Sequence, residues 1–153
     1  MSFEGLSDAD IKGLINSPKR ALNASRAKVK SRAGVQHDEW TVKLQDEEGG
    51  EFTFYTRQNR LLDRDFSCGL IWASHEGDLP LLRLNGSGHV HPPLGLVCHI
   101  HRATEKAIRE GRKPDAYAEA TSAYDSLDGA KHVLVTMASI MGVPSEPPQP
   151  KLL

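Results

Sequence analysis

The chain has 153 residues, enough for one domain and scarcely for two. Its 39% hydrophobic and 25% charged residues exclude a disordered chain, and a formal charge of −1 excludes a histone-like polycation. No run of 18 apolar residues is present to form a membrane-spanning helix.

Met1-Ser2-Phe3-Glu4 lacks the basic-then-apolar pattern of a secretory leader, and Cys68 and Cys98 stand far apart without a CxxC partner. Both features predict a cytoplasmic protein with two reduced thiols and no membrane partner. Ser7 is the predicted N-cap of a first helix. Asp8 and Asp10 lie in its first turn, Leu6, Ile11, Leu14 and Ile15 form its apolar stripe, and Ser17-Pro18 ends it. Lys19, Arg20, Arg26, Lys28, Lys30 and Arg32 follow with no acid between them. That run reads as a solvated basic linker or frayed helix, or as an arm that tracks phosphates.

Strand signals come next. Trp40–Leu44 and Glu51–Thr56 alternate apolar and polar residues around the turn-forming Asp46-Glu47-Glu48-Gly49-Gly50, which predicts a hairpin. A third strand is predicted over Cys68–Ser74, a fourth over Leu79–Leu84 and a fifth over Leu96–Arg102, with Gly77-Asp78 as one turn. Glu105–Glu110 reads as a short helix broken by Gly111 and Pro114. A final helix is predicted from Ser126 to Met141 because Leu127, Ala130, Val133, Leu134, Met137 and Ile140 recur at helical steps. The Pro-rich residues 144–153 should be an extended or disordered tail. Residues 1–143 are thus expected to form one α+β domain: an antiparallel sheet of four to five strands with an N-terminal helix and a C-terminal helix packed on one face.

The chemically unusual feature is a histidine cluster. Four of the 7 histidines, His89, His91, His99 and His101, fall between residues 89 and 101 as two His-x-His pairs. On a strand, residues two apart share a face, so His99 and His101 should present both rings together, with Cys98 and Ile100 on the other side. Pro92-Pro93-Leu94-Gly95 is placed to fold the first pair over the second.

Three readings follow. The histidines are structural or serve only binding. Alternatively, His89, His91, His99 and His101 hold zinc or another divalent metal, with Asp78 or Glu105 as a candidate carboxylate ligand. In the third, no metal or cofactor is needed: one imidazole removes a 2′-hydroxyl proton while a protonated one gives a proton to the departing 5′-oxygen of the cleaved phosphodiester. Arg57, Arg60, Arg83 and Arg102 lie on or beside predicted strands and would contact the phosphate. Arg102 adjoins His101 but should point to the opposite face.

The stretch Leu82-Arg83-Leu84-Asn85-Gly86, then His89, then His99-Ile100-His101-Arg102, resembles a family of short bacterial and prophage proteins of unknown function. Their pattern is an Arg-Leu-x-Leu-Asn-Gly strand, a histidine, an Asn-Pro-Asp-Gly turn, and His-Leu-His followed by an aromatic and a basic residue. Leu6-Ser7-Asp8-Ala9-Asp10 and the Leu127–Ile140 helix are similar to that family's first and last helices. Here Pro92-Pro93-Leu94-Gly95 replaces the turn, and no aromatic follows His101, so the resemblance carries His89, His99 and His101 but not His91. A second similarity, at the level of the fold, is to the small ribonuclease toxins of toxin–antitoxin pairs.

The histidine cluster and the strand arginines, with the second similarity beside them, are read as a metal-independent ribonuclease of toxin type, with His89, His99 and His101 catalytic and Arg57, Arg83 and Arg102 binding substrate. The partners implied are RNA and a protein antitoxin. The alternatives are the divalent-metal protein and a non-catalytic phage or host-defence interaction protein.

Overall fold

The computed structural model describes residues 3–32, 35–88 and 96–148. The chain opens with α1 (Asp8–Asn16). Ser7 Oγ accepts from the Asp10 amide, and Asp10 Oδ2 accepts from the Ser7 amide, closing a capping box. Strands β1 (Lys19–Ala24), β2 (Lys28–Arg32), β3 (Val35–Asp46), β4 (Glu51–Asn59), β5 (Phe66–Ser74), β6 (Gly77–Asn85) and β7 (His99–Arg102) follow. The chain then runs through α2 (Glu105–Arg109), β8 (Tyr117–Ala120), α3 (Leu127–Met137) and β9 (Ile140–Met141).

All the strands join one nine-stranded sheet in the order β8-β7-β6-β5-β4-β3-β1-β9, with β2 also paired to β3. Its pairings are antiparallel except that between β1 and β9, which is parallel. The expectation of a four- to five-stranded antiparallel sheet with two packed terminal helices is therefore corrected: among the described residues the fold is a mixed nine-stranded sheet with three short helices.

The additional strands have physical causes. The basic run from Lys19 to Arg32 forms β1 and β2 rather than a linker or frayed helix. Both pair along the same edge of the 12-residue β3, at its two ends. Between them the Ser25 amide donates to the Thr41 carbonyl, and the Thr41 amide donates to Ser25 Oγ. Lysines suit a strand at a sheet margin because charge there discourages pairing with another chain. The final helix ends earlier than its apolar spacing predicts. Ser139 adopts a left-handed φ of 53°, which breaks the helix, and Ile140 and Met141 pair with Lys19 and Arg20 instead.

One face of the sheet is apolar. Trp40, Val42 and Leu44 of β3, Phe52 and Phe54 of β4, Cys68 and Leu70 of β5, and Leu82 and Leu84 of β6 are all buried there. Ile11 and Ile15 of α1 and Ala130 and Leu134 of α3 join the same core. Each such leucine, isoleucine or phenylalanine contributes roughly 1.5–3 kcal/mol by leaving water.

Lys19 sits inside this assembly with only 1% of its surface exposed. Its Nζ donates to the carbonyls of Ile15 (2.8 Å), Ser17 (2.7 Å) and Ala138 (3.0 Å), and lies 4.8 Å above the Phe52 ring. One ammonium thus satisfies the carboxyl ends of α1 and α3 together. Burial lowers its pKa to about 8, with Asp46 opposing the shift.

Replacing Lys19 with methionine leaves three carbonyls without their donor. The expected loss is about 3 kcal/mol of unfolding free energy at pH 7, read from urea denaturation. The folded chain releases the Lys19 proton near pH 8, whereas the unfolded chain holds it to about 10.5. Between these values the unfolded state binds more protons, so wild-type stability should rise with pH relative to the Lys19→Met protein.

Candidate functional site on the polar face of the sheet

Strand alternation that sends Phe52 and Phe54 into the core sends Thr53, Tyr55 and Arg57 the other way. Directly paired residues share a face, so the register builds rows across that second face. One row runs Thr41, Tyr55, Gly69, Arg83, His101, Ala118 from β3 to β8. The adjacent row runs Lys28, Glu39, Arg57, Ser67, Asn85, His99, Ala120 from β2 to β8.

His99 and His101 share this face, with ring centroids 5.1 Å apart and planes inclined by 65°. Their exposure is the surprise: 0% and 1% respectively. The expected pair of solvent-facing imidazoles is replaced by two buried rings. His99 Nδ1 lies 3.0 Å from the Val97 carbonyl, and its Nε2 lies 3.2 Å from Asn85 Nδ2. A carbonyl only accepts, so in the neutral ring Nδ1 carries the proton and Nε2 accepts from the Asn85 amide. His101 Nδ1 likewise lies 2.9 Å from the Asp115 carbonyl, which fixes the same tautomer. Tyr124 secures the backbone from the apolar side, its hydroxyl donating to the carbonyls of Asn85 (2.9 Å) and His99 (3.1 Å).

The arginines remain nearer to solvent. Arg83 Nε is 3.3 Å from Asp115 Oδ2, with about a third of its side chain exposed. Arg57 Nη2 is 3.4 Å from Asp65 Oδ1 and is similarly half-buried. Burial pushes the Asp65 carboxyl up, but the hydrogen bond from Asn59, the positive charge of Arg57 and the neighbouring His37 imidazole together hold it below the usual carboxylate range. His37 Nε2 stands 3.6 Å from Asp65 Oδ2, and Asn59 Nδ2 donates to the same oxygen at 3.2 Å.

Tyr55 lies between the two arginines, laid over Gly69. A Cβ built at Gly69 would come within 2.5 Å of the Tyr55 ring and 2.6 Å of the Leu82 carbonyl, so only glycine fits beneath that ring. Burial pushes the Tyr55 phenol up to about 12, with Arg83 opposing. The tyrosine therefore stays a neutral hydrogen-bonding group at physiological pH.

The remaining predicted residues fall elsewhere. Arg102 projects from the opposite face, exposed, 3.8 Å from Glu119. Arg60 follows β4 at the surface, with Nε 2.9 Å from Asp38 Oδ1. Asp78 and Glu105 line a depression beside α2, away from the histidines. His89 and His91 lie outside the described residues. Among the described residues, no group of three or more His, Cys, Asp and Glu side chains is placed to hold a metal ion. Tyr55, Asp65, Gly69 and Asp115 were not among the predicted site residues. The parity of the Phe52–Phe54 strand locates Tyr55, whereas Asp115 comes from a connection with no periodic signal.

Compared with protein-family models, characterised proteins and solved structures, the chain matches none.

Because both clustered rings are packed, His99→Ala and His101→Ala are each expected to lower stability by about 2–4 kcal/mol, the range for emptying a buried site. His132→Ala, on an exposed position of α3, should stay within about 0.5 kcal/mol of the parent. Urea midpoints at constant slope read all three.

Proposed function

We propose that the protein binds RNA, or a comparable phosphodiester chain, across the polar face of its sheet, with Arg57 and Arg83 contacting phosphate. The observation that carries this reading is their placement. They stand on β4 and β6, either side of Ser67 and Gly69, with Tyr55 between them, on the face opposite the one α1 and α3 cover. A guanidinium offers five N–H donors, and a single carboxylate engages at most two of them. Asp65 and Asp115 thus orient the two arginines and leave donors for an anion.

Lys28 and Lys30 extend the positive charge along the same face through β2, since Lys28 pairs with Glu39 and Lys30 with His37. The basic segment then serves as a strand rather than as a loose arm. Glu39, Asp65 and Asp115 offset much of this charge, which favours modest affinity and recognition of a shaped anion over indiscriminate binding.

In this reading His99 and His101 are positioning residues, which hold Asn85 and Asp115 at the base of the face. Cleavage is a second reading, and one observation favours it. The His101 tautomer is set by a backbone carbonyl, and the ring adjoins Arg83 in the row that contains Tyr55. Such an orientation suits a general base. For cleavage the buried ring would have to open toward bound RNA, with no metal required.

Anisotropy of a labelled single-stranded RNA in chelator tests binding. Saturable binding is expected, weakened at least tenfold by Arg57→Gln or Arg83→Gln. Two phosphate contacts on a single strand should give a slope of about −1.4 for log affinity against log salt, and each substitution should remove about 0.7 of it. An RNA that stays unbound at 100-fold protein excess, or slopes unmoved by both substitutions, would sink the proposal. The same mixtures run on a denaturing gel decide the second reading: shortened RNA that reappears intact with His101→Gln supports cleavage.

A further inference from the structure

We propose that the ring of Tyr55 is the seat of an unpaired nucleobase, so that the polar face takes single-stranded RNA in preference to a duplex. This inference rests on the phosphodiester reading above and names the form of the chain that the face accepts. Arg57 and Arg83 account for phosphates, and phosphate contacts position a nucleic acid without reading its bases. The side chains between the two arginines supply the rest.

Two large apolar side chains stand on this face among polar groups. Tyr55 of β4 lies in the row Thr41, Tyr55, Gly69, Arg83. Ile71 of β5 lies in the next row, paired with Thr53 on one side and Pro80 on the other. Both are half-buried, whereas Gly69, which borders both, is buried. The main core does not account for them, because α1 and α3 pack on the opposite face of the sheet.

The attitude of the ring follows from its contact with Gly69. Tyr55 Cε1 lies 2.5 Å, and its hydroxyl oxygen 2.6 Å, from where a Cβ of residue 69 would stand. The ring therefore lies along the sheet, with one side against the glycine backbone and the hydroxyl tucked in beside it. Shelter of that hydroxyl is what pushes the phenol up to about 12. The part of the side chain left to solvent is then the outward face of the ring. An aromatic face held parallel to the sheet, with a guanidinium on either side, suits a base on Tyr55 and its flanking phosphates on Arg57 and Arg83. Ile71 widens the platform. Stacking needs no surplus of positive charge, so it is compatible with the offset by Glu39, Asp65 and Asp115. Bases within a duplex are already stacked on their neighbours and cannot be splayed onto the ring without unpairing.

The test compares labelled oligouridine, the same strand annealed to oligoadenosine, and a strand of equal length whose sugars carry no base, each titrated with the full chain in chelator. Phosphate contacts alone predict that the duplex, with its higher charge density, binds at least as well as the single strand. Stacking predicts the reverse, with the single strand bound at least tenfold more tightly than the duplex. Tyr55→Leu should weaken single-strand binding at least fivefold, about the lower end of what one base–aromatic stack contributes, and leave the salt slope as it was. The same substitution should make no difference to the base-free strand, because the interaction it removes is already missing there. Tyr55→Phe should recover most of the loss, since the ring face rather than the hydroxyl makes the contact. Circular dichroism and urea midpoints establish that both variants are folded. A duplex bound as tightly as the single strand, or a folded Tyr55→Leu protein of undiminished affinity, would overturn the assignment and leave Arg57 and Arg83 as phosphate contacts. Absence of any binding to the parent chain would instead remove the phosphodiester reading and this one together.

Discussion

The register of four consecutive strands is the constraint on which the molecule depends. β4, β5, β6 and β7 are aligned so that alternate residues enter the core and those between form a polar face, with one irregularity in the β5–β6 ladder at Leu81. A slip of one residue in any ladder would exchange those sets, placing Arg83 or His101 among leucines. The apolar face is dense enough to prevent this, because Phe54, Leu70, Leu82 and Leu84 are fully buried along it. The polar face inherits its order from that packing. Gly69 contributes from the other side: with no Cβ, it lets Tyr55 lie flat against the middle of the sheet between two arginines.

Four buried polar residues follow a single logic. Lys19, His99, His101 and Asn85 are nearly sealed from solvent, and each meets a specific partner, mostly a backbone carbonyl. An interior polar group without such a partner loses free energy on the order of a hydrogen bond or more. The histidine-rich strand is thus stitched to its surroundings: Val97 and Asp115 accept from its rings, while its His99 carbonyl accepts from Tyr124. The half-exposed groups of the face, Arg57 and Arg83, are oriented by carboxylates and lie close enough to solvent to meet a ligand.

Parts of this were legible in the sequence. The alternation in Trp40–Leu44 and Glu51–Thr56 locates a real hairpin, and the two-residue spacing of His99 and His101 places both on one side of a strand, opposite Ile100 and away from Arg102. Burial of those rings was not legible, because it depends on the Asp115 carbonyl and on residues brought together by long-range pairing. The basic segment hid two strands, since charge at alternate positions looks the same in a solvated linker and at a sheet margin. Ile140 and Met141 continue the helical spacing of α3, yet the left-handed Ser139 diverts them into β9; spacing carries no information about that break.

The parallel contact between β1 and β9 has a consequence for how the chain is made. Lys19 and the Ala138 carbonyl that it binds are separated by 119 positions, so during vectorial synthesis the first strand emerges long before its last partners exist. Until then its ammonium has only the end of α1 to satisfy, and one margin of the sheet stays open. Ribosome-bound intermediates should therefore keep a reactive N-terminal edge until the final helix has cleared the exit tunnel, a late step that long-range topologies impose on folding speed.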